Sequence, residues 1–203
     1  MSGISFRPKV AGVVLAAGAS SRMKQIKQLL PWKKTTLLGH AIDQLKDSGV
    51  EKVFVVLGAN EKLILEHLNT ENIQFLSNDN WKEGMSSSIV KTIEHFEEMN
   101  YNFDGLLISV CDQPLLDENH YKKLVMSCIS PDRIIASSYG DQVGVPALFG
   151  KNFFTELKKL KQDYGAKSVI QKHLSKMIQL DAPNGLIDLD TIDKYNHYYA
   201  AFG

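Results

Sequence analysis

The stretch with the most chemistry in it reads Leu15-Ala16-Ala17-Gly18-Ala19-Ser20-Ser21-Arg22-Met23-Lys24-Gln25-Ile26-Lys27-Gln28-Leu29-Leu30-Pro31. An apolar run ends here in small residues, which let a backbone pass close to a ligand. Successive N–H groups from Leu15 to Ala19 can then cradle phosphate oxygens, with the hydroxyls of Ser20 and Ser21 as further donors. Arg22 can fork onto two phosphate oxygens, and Lys27 can act as a mobile point charge. This is not a Walker A loop, since Met23 stands where the second Gly is required and no Lys-Ser or Lys-Thr follows. No G-x-G-x-x-G occurs in the chain, so a dinucleotide site lacks its fingerprint. In isolation, the loop also reads as a plain strand exit into a solvated basic helix start.

Two further segments carry similar weight. Leu106-Leu107-Ile108-Ser109-Val110-Cys111-Asp112-Gln113-Pro114 is an apolar strand ending in a carboxylate, and Pro114 stops the strand. Asp112 would sit at the ligand end of the sheet, where a hard oxygen can hold Mg²⁺; alternatively it caps a helix near Asp117. Cys111 reads as a small buried hydrophobe, with no obvious base beside it. Trp81-Lys82-Glu83-Gly84-Met85-Ser86-Ser87-Ser88-Ile89 is a glycine turn into a helix. Gly84, Ser86 and Ser88 there suit a polar ligand edge or a phosphate, or one serine simply caps the helix. The nucleophile elbow G-x-S-x-G is broken by Ser88, which disfavours a serine hydrolase. Asp188 and Asp190 precede a final helix, so one can be a second metal ligand and the other a cap. Asp163, between two helical stretches, faces the same cleft or is only loop. The six histidines show no zinc-ligand spacing.

The elements that must position these segments follow from periodicity. Val10–Ala16, Val53–Leu57, Ile73–Leu76, Leu106–Val110, Ile134–Ser137, Val145–Phe149 and Leu186–Leu189 read as strands. Apolar residues at helical spacing lie between them, as in Leu37, Leu38, Ala41, Ile42 and Leu45, or Ile89, Ile93 and Phe96. The alternation predicts an α/β fold: a three-layer, Rossmann-like α/β/α arrangement around a mostly parallel mixed sheet. Ligands then bind beyond the carboxyl ends of the strands. A chain of 203 residues predicts one domain over 1–203. Lys plus Arg and Asp plus Glu both number 23, which argues against nucleic acid as a partner. The longest apolar stretch, Val10 to Ala17, is too short to span a membrane, which takes roughly 20 residues. That stretch, with Arg7 and Lys9 before it and small residues after, could imitate a signal peptide, but it also reads as a buried strand entering a turn. With only two cysteines, a cytoplasmic protein is predicted.

Taken together, Leu15-Ala-Ala-Gly-Ala-Ser-Ser-Arg22-Met23 and Lys27-Gln-Leu-Leu-Pro31 resemble the signature of the molybdenum cofactor cytidylyltransferases and related MobA-like nucleotidyltransferases. Gly84-Met-Ser-Ser-Ser88, Asp112-Gln113-Pro114, Gly144-Val145-Pro146, Asp163-Tyr-Gly-Ala166 and Asp188-Leu-Asp190-Thr191 follow in the family's order. The resemblance covers roughly positions 10 to 199. It implies transfer of CMP from CTP to the terminal phosphate of molybdenum cofactor, with pyrophosphate released. It implies Mg²⁺ on Asp112 and Asp190, with Arg22 and Lys27 offsetting phosphoryl charge. Ser86 and Ser88, with the backbone around Ala16 and Ala17, would read the base. Gln113, Pro114, Gly144 and Asp163 would lie towards the acceptor. It allows a transient contact with a molybdoenzyme or its chaperone. The Leu-Ala-Ala-Gly form leans towards CTP over GTP. Lys24, Val145 and Lys167 stand where Gly, His and Arg are frequent in the family. GTP as donor, a sugar or polyol phosphate as acceptor, and a non-catalytic cofactor carrier are the alternative readings.

Overall fold

The computed structural model describes residues 8–68, 71–161, 164–183 and 187–203. The chain runs β1 (Val10–Leu15), a hairpin of β2 (Pro31–Trp32) and β3 (Thr35–Thr36), α1 (Leu37–Asp47), β4 (Lys52–Leu57), α2 (Glu61–His67) and β5 (Ile73–Ser77). It continues with α3 (Met85–Glu98), β6 (Gly105–Val110), α4 (Glu118–Met126), β7 (Ile134–Tyr139), β8 (Gln142–Gly150), α5 (Phe154–Leu157), α6 (Lys167–Lys172), β9 (Met177–Asp181) and α7 (Ile192–Phe202). Seven strands form one sheet in the order β5-β4-β1-β6-β8-β7-β9. Its pairings are parallel except the two made by β8.

The alternation of side chains along the central strands splits the core into two layers. Ala11, Val13 and Leu15 of β1 face the side covered by Ile89, Ile93 and Phe96 of α3. Val10 and Val14 face the other side, covered by Leu38, Ile42 and Leu45 of α1 and by Tyr121 and Leu124 of α4. This is why β1, β4 and β6 are apolar at consecutive positions: both faces are buried. From β1 the chain crosses to β4 on one side, while β6 lies on the other, so a switch point falls at the carboxyl end of β1. A third, smaller core joins Met23, Leu30, Trp32, Leu37, Leu189 and Tyr195, and fixes α7 against the segment after β1.

One expected strand is corrected. Leu186 lies outside the described residues, and 187–190 is not strand; Leu189 instead plugs the small core, fully buried. The last strand is β9, whose Met177, Ile178 and Leu180 are only partly buried at the sheet edge. Among the described residues no helix is long and apolar enough to cross a membrane.

Two buried histidines link the fold to pH. His120 Nε2 donates to Ser137 Oγ (2.7 Å), whose own hydroxyl is given to the Pro146 carbonyl (2.6 Å). His40 Nε2 lies 3.1 Å from the Pro114 carbonyl. Burial lowers both imidazoles below their usual value. The unfolded chain therefore binds more protons, and stability is lost as pH falls below about 6.5. Thermal melts should show a Tm that drops between pH 7 and 5.5, with a shallower slope in His120→Gln. Identical slopes would clear His120 of this role.

Candidate active site

A cavity of about 370 Å³ opens beyond the carboxyl ends of β1 and β6, within the size range of small-molecule sites. Its floor is the loop after β1. Ala16 N–H still bonds Val56 O at 2.9 Å, as if the strand continued, and Ala17 O accepts from Ala59 N at 2.9 Å. The chain then turns away through Ser20 and Lys24, both left-handed (φ 54° and 53°), on either side of a single 3₁₀ turn over Ser21–Met23. Met23 is buried in the small core, which leaves its neighbour Arg22 projecting into solvent.

A second 3₁₀ turn, Lys27–Leu29, brings in the next charge. Lys27 Nζ donates to Asp112 Oδ2 at 2.9 Å and to Asp190 Oδ1 at 2.8 Å. Arg22 reaches the other oxygen of Asp190 at 3.3 Å. Burial alone would lower the Lys27 ammonium, but the two carboxylates hold it well above its ordinary value. Burial would likewise raise Asp190, yet the hydrogen bond and charge of Lys27, with Arg22, hold it below the usual carboxylate range. Asp112 is delivered by β6, and its carbonyl accepts from Leu189 N at 2.8 Å, which pins the distant 188–190 segment beside it.

Neither carboxylate is used as a helix cap. Asp117 caps α4 itself by accepting from His120 N (2.9 Å), and Thr191 caps α7 by accepting from Lys194 N (3.3 Å). Asp188 accepts instead from Gln113 Nε2 at 2.9 Å, and burial raises its carboxyl above the ordinary value. Cys111 is buried, and burial pushes its thiol up to about 12, so it is no nucleophile.

The structure brings Leu15, Ala16, Ala17, Gly18, Ser20, Ser21, Arg22, Lys27, Gly84, Ser88, Asp112 and Asp190 to the wall of this one cavity. Ala19 lies on the loop but does not line it. Ser88 Oγ accepts from Asn78 Nδ2 at 3.0 Å, and among the described residues its hydroxyl hydrogen has no acceptor. Ser86 is fully buried and off the wall; its oxygen accepts from Gly165 N at 3.2 Å and ties α3 to the segment before α6. No serine side chain caps α3, whose first position follows Gly84. Pro114 lines a separate hollow beside α7, Gly144 lies on β8, and Gln113 is off the cavity wall, donating to Asp188. Asp163 lies outside the described residues. Sequence reading gave no role to Asn78, which holds Ser88, or to Gln28, which holds the loop. Their partners are a hydroxyl ten residues away and backbone carbonyls, and neither leaves a pattern in a sequence.

The model of the MobA-like NTP transferase domain matches residues 12–177. The chain belongs to this family. Its domain is of the MobA-like NTP transferase type, on the corresponding α/β fold. Among its relatives are the nicotine blue oxidoreductase of Paenarthrobacter nicotinovorans, 33% identical over 133 residues (65% of this chain), and the purine catabolism protein PucB of Bacillus subtilis, 28% identical over 200 residues. The match spans 63% of the first relative's own length, under two thirds, and 95% of the second, where it takes in 93% of this chain. The molybdenum cofactor cytidylyltransferase of Escherichia coli is 20% identical over 183 residues, covering 90% of this chain and 92% of that one. Among solved structures, the Rv0371c homologue of Mycobacterium sp. strain JC1 superposes with a TM-score of 0.83 at 26% identity, over 97% of this chain and 98% of that one. The manganese complex of Rv0371c from Mycobacterium tuberculosis has a TM-score of 0.77 at 24% identity, over 95% and 99%.

The geometry shows what one departure from the MobA-like pattern costs. Lys24 stands where Gly is frequent, and its backbone is left-handed, the conformation that favours Gly. Relief of that strain exceeds the extra chain entropy of Gly only slightly, so Lys24→Gly should stabilise the protein by about 0.5 kcal/mol. Denaturant titration with an unchanged m-value would show it, and a clear loss of stability would refute it.

Proposed function

We propose that this chain, as one domain over 1–203, transfers CMP from CTP to the terminal phosphate of a molybdenum cofactor acceptor in the cytoplasm. The observation that carries the reading is Lys27 bridging Asp112 and Asp190 at the rim of a small-residue loop. Phosphoryl chemistry needs that combination of cationic and hard oxygen groups, and little else from side chains. CTP rests on the Leu15-Ala16-Ala17-Gly18 form of the loop, and the acceptor on family likeness.

The donor set suits a divalent ion. Asp112 and Asp190 each bring an oxygen to within 3 Å of one point, the Lys27 ammonium. Among the described residues no group of three His, Cys, Asp or Glu forms a closed cage. Mg²⁺ takes one or two carboxylates and fills its shell with phosphate and water oxygens, so two acids beside a phosphate cradle would be enough. Asp112 and Asp190 would hold it, and it would supply positive charge to the phosphates. Manganese in the Rv0371c complex supports a divalent ion of this kind.

In the reaction, an acceptor phosphate oxygen attacks the α-phosphorus of CTP, the α–β bridging bond breaks, and pyrophosphate leaves with the electron pair. Loop N–H groups bind and orient the phosphates. Arg22 and Lys27 offset charge growing on the phosphoryl and leaving oxygens. Ser88 donates to an acceptor atom on the base. Holding both reactants in line supplies most of the acceleration.

The deciding experiment is pyrophosphate release with CTP, GTP, ATP and UTP, each with Mg²⁺, with and without molybdenum cofactor. Cofactor-dependent release with CTP alone is expected. Release with GTP would change the donor, and release with a sugar phosphate would change the acceptor. No release despite pterin binding would make the chain a carrier. One relative is named for an oxidoreductase, so redox turnover in place of pyrophosphate release would overturn the reading.

A further inference from the structure

Gln28 is 2% exposed and sits inside the curve of the phosphate-binding loop. A buried amide is costly unless bonded, and this one is bonded only to the loop. Its Nε2 donates to the Ala16 carbonyl at 2.8 Å and to the Gly18 carbonyl at 2.9 Å. Its Oε1 accepts from the Ser20 hydroxyl at 3.2 Å. One side chain thus takes two carbonyls and one hydroxyl from a five-residue span. We propose that Gln28 is a positioning residue for the nucleotide's phosphates, acting through the conformation of this loop. The proposal rests on the nucleotidyltransferase reading above.

The reasoning is one of peptide geometry. In a trans peptide the carbonyl and the following N–H point in opposite directions, and the peptides of this loop are trans. Turning the Ala16 and Gly18 carbonyls towards Gln28 therefore turns the Ala17 and Ala19 N–H groups away from it. Neither N–H has an acceptor among the described residues. A backbone with carbonyls drawn to one side and N–H groups displayed on the other is an anion-binding concavity. Without Gln28, nothing else among the described residues holds the Gly18 carbonyl.

Gln28 also shares its turn with Lys27, whose ammonium reaches Asp112 and Asp190. The turn is a short rigid link from the loop to the acid pair, so it sets the distance between phosphate cradle and carboxylates. Only an amide serves here. Leu offers no hydrogen bond, and a Glu carboxylate would face two carbonyl oxygens.

The test compares wild type with Gln28→Leu, Gln28→Glu and Ser20→Ala. Nucleotide affinity is measured calorimetrically, amide exchange is followed by mass spectrometry over the loop, and KM is separated from kcat. Both Gln28 variants should bind CTP at least about tenfold more weakly, since small misplacements of positioning groups are amplified. Their loop amides should exchange faster, while β1 and β4 exchange at wild-type rates and the acceptor KM is unchanged. Ser20→Ala, which loses one hydrogen bond, should show the same pattern more weakly. A folded Gln28→Leu protein with CTP affinity within twofold of wild type overturns the proposal. If Gln28→Leu does not fold, unchanged loop exchange and CTP affinity in Ser20→Ala overturn it instead. A wild-type chain that binds none of the four nucleotides would fail the nucleotidyltransferase reading itself. Loop exchange in the variants would still decide whether Gln28 shapes the loop.

Discussion

Replacing Asp112 by Asn is expected to bring Mg²⁺-dependent pyrophosphate release down to background while the fold survives. The substitution keeps the shape of the side chain and an oxygen able to accept from Lys27, but removes the charge that a divalent ion needs. Asp112 is only partly buried, and its backbone link to Leu189 is untouched, so the melting curve should move little. Loss of one preorganised electrostatic group in comparable sites costs about 10²–10³ in rate, and loss of half of a two-carboxylate set should reach the upper end. Titrating Mg²⁺ or Mn²⁺ against the variant would show the cause, because a weakened ion site responds to higher metal. Wild-type turnover in Asp112→Asn would remove this residue from the chemistry.

Lys27→Ala is the second large effect, with a loss of about 10²-fold or more in rate. Among the described residues Lys27 is the one group that touches both carboxylates, at 2.9 and 2.8 Å, and its side chain is 12% exposed. Its removal leaves two acids facing each other, with Arg22 the remaining ion-pair partner among the described residues, and Arg22 is 73% exposed and screened by water. Lys27→Arg distinguishes charge from shape. A fork in place of a point charge should restore only part of the rate, since its donors cannot meet both oxygens in the same way. A change within twofold in Lys27→Ala would return Lys27 to the status of a solvated surface charge.

The contrast between what could be read early and what could not has a physical pattern. β1, β4 and β6 stand in the middle of the sheet with both faces covered, so they are apolar at consecutive positions, Lys52 and Ser109 apart, and announce themselves. β9 is an edge strand in which Gln179 and Asp181 interrupt Met177, Ile178 and Leu180, and no periodicity survives. Ile187 and Leu189 looked like strand because they are apolar, but their apolar surface belongs to the small core around Trp32 and Tyr195. In the site, Arg22, Lys27 and Asp112 were visible as charges placed after apolar runs. Asp190 was visible only as one of two acids, and its choice over Asp188 is made by contacts: Asp190 meets Lys27, whereas Asp188 meets Gln113. Ser86 and Ser88 look equivalent two residues apart, yet at about 3.6 residues per turn that spacing is roughly half a turn of helix, which buries the first away from the cavity and puts the second on its wall.

The pairing of Lys27 with Asp190 spans 163 positions of sequence. Contacts that distant close a large loop and form late in folding. On the ribosome, β1, its phosphate loop and β6 emerge well before the segment carrying Asp190. A nascent chain can therefore build most of the sheet and present Lys27 to Asp112 alone. The second carboxylate arrives with α7, when Leu189 and Tyr195 close the small core over Met23 and Trp32. Competence for chemistry is in this sense timed by the segment carrying Asp190: the fold can be mostly made while the site is still half-built.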